Sequence, residues 1–284
     1  MEDGVPVFPV LLLTRWLHFA SVFALFGSSL FWFFSPGGFL RARRATDRLL
    51  RVAALVAAIS GLGWLAAILA NMAGGFAALT DPESLSLFLG DPQFGPVALT
   101  RLILLAAALG LAAWPAGGAL WRGALVSVGA LLLVDQAWLG HAAQSHAMIA
   151  SYGVHVLAAA IWLGGLPPLL LALREARGDE ARGVLLFFSH MAMIAVVAIL
   201  VTGLLNLQFH HNLDPAFWPT SDYGLVLIVK SLLVGVMLAL AVANRFVFMK
   251  RAAWRALRLA VAAEIVLGLL VLAAAALLGV TPPA

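Results

Sequence analysis

The sequence predicts an all-α polytopic membrane protein, and three observations predict it. Of its 284 residues, 63% are hydrophobic and 11% charged, with a mean hydropathy of +1.04. A water-soluble fold of this length has no core large enough for so much apolar side chain. Apolar runs able to cross a hydrocarbon layer of ~30 Å, roughly 20 residues each, recur at 9–34, 49–72, 97–114, 121–140, 149–173, 184–208, 223–244 and 256–279. Basic residues gather in every second connection between these eight runs.

The first span follows Glu2 and Asp3 rather than a basic leader, and its length marks a retained helix, not a cleaved signal. Arg41, Arg43, Arg44, Arg48 and Arg51 precede the second span; Arg122 precedes the fourth; Arg174, Arg177 and Arg182 separate the fifth from the sixth; Arg245, Lys250, Arg251, Arg255 and Arg258 separate the seventh from the eighth. By the positive-inside rule these segments are cytoplasmic, which puts both termini outside. The basic balance therefore reads as topology, with membrane lipids as its partners and no nucleic acid. The outer connections carry Asp81, Glu83 and Asp91 and then Asp214 and Asp222, with no Lys or Arg, so an approaching cation meets acid first.

There is no cysteine. Disulfides and thiolate metal relays are excluded, leaving His, Met and carboxylate as metal ligands. Neither a Walker sequence nor a phosphorylatable Asp motif is present, so ATP chemistry is not expected, and the protein is not read as an enzyme.

The chain reads as one integral membrane domain, 1–284, with an internal repeat. "RWLHFASVFALFG" sets His18 nine residues before Gly27, and "HVLAAAIWLG" sets His155 nine before Gly164. "FGPVALTRL" sets Arg101 six after Gly95, and "YGLVLIVKS" sets Lys230 six after Gly224. Ser60-Gly61 recurs as Thr202-Gly203, and Trp121-Arg122 as Trp254-Arg255. Four spans return the chain to its starting side, so residues 1–140 and 141–284 are expected to be parallel four-helix repeats. His18 and His155 are then equivalent positions.

Six of the seven histidines fall in the outer half: His18, His141, His146, His155, His210 and His211. Imidazole suits copper, zinc, iron and nickel, and a thioether at Met148, in the connecting loop with His146, shifts the balance toward copper. Met72 at the outer end of the second span is a further soft ligand on the pathway. Asp135 in the fourth span needs a partner, and Arg15, Arg101 and Lys230 compete with a metal for it. On the inner half, His190 and Met193 in "FSHMAMIA" share a helix face as an exit site. Glu264 is a second buried-span acid, with no assigned role. The glycines of "WLGGLPP" and "GLGW" serve close helix packing.

"GHA" at 140–142, "HVLAAAIWLGGL" at 155–166, "FSHMAMIAVVAILVTGLLNL" at 188–207, "YGLVLIVKS" and the "NR" at 244–245 together resemble the bacterial copper resistance protein D (CopD) family. The opening "RWLHFA" is similar to that family's first span. The resemblance implies an eight-span protein of the bacterial inner membrane that takes copper from the periplasm toward the cytoplasm, with a separate periplasmic CopC-like carrier as donor. It carries His18, His141 and His155 as matching positions, and the metal set expected is these three with His146 and Met148 at the entrance. A rival reading makes His18 and His155 axial ligands of a heme, with Arg15, Arg101 and Lys230 holding its propionates in an electron-transfer protein. A third is a copper chaperone for oxidase assembly, using the same site without flux.

Overall fold

The computed structural model of the chain describes residues 6–35, 38–115, 117–139, 145–209 and 218–281. His141, His210, His211 and Asp214 lie outside the described residues. Among those described, the regular structure is entirely helical: α1 Val7–Phe34, α2 Leu40–Met72, α3 Pro82–Gly90, α4 Phe94–Ala113, α5 Gly118–Val134, α6 His146–Glu175, α7 Gly178–Phe209, α8 Asp222–Ala243 and α9 Trp254–Leu278. All except α3 belong to segments long and apolar enough to cross a membrane, α5 doing so together with the turn that continues it to Trp138. A helix satisfies its own backbone hydrogen bonds, which lipid cannot do for it.

The eight expected spans are present, and most are longer than their apolar runs. α2 starts at Leu40 because "LRARRATDRLLR" is rich in good helix formers, so the helix continues beyond the hydrocarbon. α6 starts at His146, where Ser145 accepts the Met148 N–H as an N-cap. His146 and Met148 therefore open a helix and do not belong to the loop expected there. α3 has no counterpart in the apolar pattern, because at nine residues it is too short to register as a span. Pro82 at its start and an Asp81 cap define it.

α1 and α6 form the centre. α1 packs against α2, α5, α6 and α9, and α6 against α1, α2, α5, α7 and α9. They cross at Gly27 and Gly164: a Cβ on Gly164 would strike the Phe23 carbonyl and Gly27, and one on Gly27 would strike the Ala160 carbonyl and Gly164. Two residues without side chains let the backbones touch, the means by which helices associate where lipid supplies no hydrophobic drive. Pro167 and Pro168 lie within α6. Pro168 has no N–H, so the Gly164 carbonyl loses its partner within the helix. The Ser28 hydroxyl on α1 donates to that oxygen at 2.9 Å.

Arg15 near the start of α1 donates to the Gly279 carbonyl just beyond α9 at 2.9 Å, so both described ends of the chain meet on one side of the bundle, the terminal face. The opposite side is the arginine face. There Arg122 pairs with Asp47 at 3.6 Å, and Glu175 at the end of α6 accepts the Ala42 N–H of α2 at 2.8 Å.

Gly164→Ala should be destabilising although alanine favours helices, because the crossing must open. Gly235→Ala, where nothing lies within 4 Å of the new Cβ, should be neutral or stabilising by up to about 1 kcal/mol. Thermal unfolding of the two variants in detergent checks the opposite signs.

Candidate functional site

His18 lies one helical turn beyond Thr14 on α1 and is fully buried, 0% exposed. It faces α2. Its Nδ1 is 3.1 Å from the Ala57 carbonyl, and its ring lies 5.5 Å from that of Trp64. Gly61 leaves room for the imidazole, since a Cβ there would press on the ring and on Leu105. A carbonyl only accepts, so Nδ1 carries the hydrogen. Nε2 is then the lone-pair nitrogen, and it is buried with no hydrogen-bond partner.

His155 on α6 is half-buried and repeats this chemistry against α7. Its Nδ1 is 3.0 Å from the Thr202 hydroxyl oxygen, and that hydroxyl donates its own hydrogen to the Ala198 carbonyl. The Thr202 oxygen must accept, which again places the imidazole hydrogen on Nδ1 and the lone pair on Nε2. Gly203 borders the ring as Gly61 does in the first half. One turn away the Ser151 hydroxyl meets the Asn206 side-chain oxygen at 2.7 Å. Asn206 escaped the sequence reading, although its place four residues after Thr202 puts it on the same helix face.

Two of the cations expected near the terminal face lie around Trp64, the aromatic neighbour of His18. Arg101 on α4 lies 4.3 Å from the Trp64 ring and is bound to Asp135, with Nε to Oδ2 and Nη2 to Oδ2 both 3.0 Å. Arg101 is thus the partner that Asp135 required, chosen over Arg15 and Lys230, and the carboxylate is engaged by it. Arg15 is 5.3 Å from both the Phe19 and Trp64 rings. The first imidazole therefore shares its Trp64 neighbour with a cation, and Asp135 is the compensating charge.

The remaining candidates are dispersed. His146 is exposed and Met148 buried. Residues two apart on a helix point in different directions, so this pair does not close on one ion within its own turn. Met72 ends α2 at 53% exposure. His190 and Met193 both face outward from α7, with Met193 51% exposed, away from the bundle interior. No hydrogen bond or ring contact joins His18 to His155, since one ring is seated on α2 and the other on α7. Among the described residues no three His, Asp or Glu side chains gather in a metal-sized group.

Two acids of the terminal-face connections, Asp81 and Asp91, hold local hydrogen bonds. Asp81 accepts from the Ser84 hydroxyl and N–H, which hold its carboxyl below the usual carboxylate range. Asp91 accepts the Gln93 and Phe94 N–H groups, each at 2.8 Å, at the start of α4. On the arginine-face side, Asn244 donates to the buried Glu264, and Arg245 to Ser189 beside His190. The "NR" pair thereby ties the short π-helical turn Asn244–Phe248 to α9 and α7.

A family model described as "Copper resistance protein D-like, N-terminal domain" matches residues 1–151, and one described as "Copper resistance protein D" matches residues 182–278. Among curated proteins the chain is similar to inner membrane protein YebZ of Escherichia coli (strain K12), 27% identical over 248 residues, covering 84% of this chain and 83% of the relative. It is also similar to copper resistance protein D of Pseudomonas syringae pv. tomato, 26% identical over 312 aligned positions, covering 100% of this chain and 98% of the relative. No solved structure matches.

Removing one member of a buried ion pair strands the other charge at a cost of about 3–5 kcal/mol. Asp135→Leu and Arg101→Met should each fall in that range, and the double variant Arg101→Met, Asp135→Leu should recover much of the loss. A double-mutant cycle read by thermal unfolding measures it.

Proposed function

The chain belongs to the copper resistance protein D family, and on that premise we propose that it takes copper from the terminal face and passes it toward the arginine face. The copper ion is cargo in this reading. His18 and His155 are its ligands within the spans, one in each half. The observation that carries the proposal is their shared seating: each Nδ1 lies against an oxygen of its own helix pair, 3.1 Å from the Ala57 carbonyl and 3.0 Å from the Thr202 hydroxyl, which leaves Nε2 as the nitrogen for a ligand. Neutral imidazole presented this way is a ligand for copper, and a hydrogen bond from the second nitrogen is how proteins orient such ligands.

In this proposal His141 and His146 meet the ion at the terminal face, and Met148 and Met72 supply soft contacts on either side. The exit site proposed at His190 and Met193 lies on the outward face of α7, so an ion using it would leave along that face and not through the bundle interior. Asp135 serves by balancing Arg101 and is not a ligand. The arginine-rich connections support a cytoplasmic arginine face under the positive-inside rule, and in this reading the terminal face opens to the periplasm, where a CopC-like carrier would deliver copper. The two-repeat organisation, 1–140 and 141–284, is supported by contacts at matching positions. Gly27 touches Gly164, and a Cβ on Gly95 or Gly224 would strike the carbonyl six residues earlier, at Leu89 or Trp218.

The separate seating of the two rings also bears on the heme reading, which needs both imidazoles on one iron. Purified protein that retains copper and shows no Soret band upholds the copper reading. A Soret band lost in His18→Ala would replace it with the heme. Cells expressing the chain should accumulate copper, and the His18→Ala, His155→Ala double variant should return them to the level of cells without it. Equal copper in all three removes transport. Thr202→Val, which leaves His155 but frees its ring, should weaken copper affinity about 10–100-fold. Binding should also fall on acidification, because a proton on Nε2 occupies the lone pair.

A further inference from the structure

On the arginine face, an open cavity of about 410 Å³ lies between the end of α6 and the start of α9, lined by Arg174, Ala176, Arg177, Trp254 and Arg258. Three guanidiniums line it and no carboxylate does. The acids nearby are engaged or turned elsewhere. Glu175 caps α2 through the Ala42 N–H, and Asp179 and Glu180 belong to the first turn of α7, outside the lining.

Two of the arginines are held from behind. Arg177 donates through Nη1 to the carbonyls of Arg174 and Ala176 at 3.2 and 3.0 Å, and Arg258 donates to the Leu173 carbonyl at 3.5 Å. These oxygens belong to the end of α6 and the residue after it, where the helix dipole favours positive charge. Each guanidinium has five N–H donors, so the arms are positioned while most donors remain for a ligand. Planar, bidentate donation suits phosphate oxygens better than a point charge does. Trp254 at the cavity edge is the residue type that marks a membrane–water boundary.

We propose that this cavity is a binding site for a phosphoryl oxyanion, and that the phosphodiester of an anionic lipid headgroup is its source. The site is independent of the copper pathway. Free phosphate shares the chemistry, and the test separates the two.

The full chain, purified in detergent, is offered phosphatidylglycerol, phosphatidylcholine or inorganic phosphate, and binding is read by native mass spectrometry and by thermal unfolding. Phosphatidylglycerol should remain bound and raise the melting temperature, while phosphatidylcholine should do neither. Arg174→Gln with Arg258→Gln should weaken retention at least tenfold, whereas Arg182→Gln, exposed on the same face but outside the cavity, should leave it unchanged. Inorganic phosphate that raises the melting temperature alone and displaces the lipid at millimolar concentration assigns the site to the free anion and overturns the lipid source. Equal retention of the two lipids by the unmodified chain overturns the site itself, as does an undiminished preference in the double variant.

Discussion

The architecture depends on the contact between Gly27 and Gly164. In lipid, two apolar helices gain little by exchanging hydrocarbon for each other, so close backbone approach and hydrogen bonding have to hold the centre. The α1–α6 crossing uses both. Glycine removes the side chains that would hold the helices apart, and Pro168 makes a carbonyl of α6 available to Ser28 of α1. Every other span is placed relative to this pair. α2 and α7 flank it, carrying the partners of the two histidines, and α5 and α9 close the sides.

The histidines show how a membrane interior disciplines polar groups. A buried imidazole is costly unless its hydrogen has an acceptor, and each here finds one on the neighbouring helix of its own half. That settles which nitrogen faces outward from the pair. Arg101 obeys the same rule more severely: fully buried, it takes Asp135 as counter-ion and the Trp64 ring as a second surface. A solitary charge at that depth has no stable alternative, which explains why the fourth span ends in an acid.

Much of this was legible in the sequence. Length and hydropathy located the eight spans, because the need for roughly 20 apolar residues is independent of tertiary structure. The glycines of "WLGGLPP" announced close packing, and Ser60-Gly61 and Thr202-Gly203 stood out as a repeated pair, although not as the surfaces against which His18 and His155 lie. Other features were not legible, for physical reasons. Ser145 as a helix cap, which moves His146 and Met148 out of the loop and onto different sides of α6, looks like any loop serine until the helix forms. The choice of Arg101 over Arg15 for Asp135 depends on how α4 meets α5, information carried by no single span. Spacing within α7 marks His190 and Met193 as sharing a face without saying that this face looks outward. The cavity formed by Arg174, Arg177 and Arg258 joins segments eighty residues apart, and a charge count reads them only as topology.

α4 and α8 also differ in how they are held. α4 buries seven residues and is fastened near its middle by Arg101, whereas α8 buries only Gly224 and Met237. α8 leans along α9, is gripped at one end by the Trp218–Thr220 turn and at the other by Asn244, and makes no extended contact with α7 among the described residues. It is a strut held at its ends and along one side, where Met237 enters the core. Most of its remaining surface is left to lipid, so the bilayer supplies more of this helix's neighbours than the protein does.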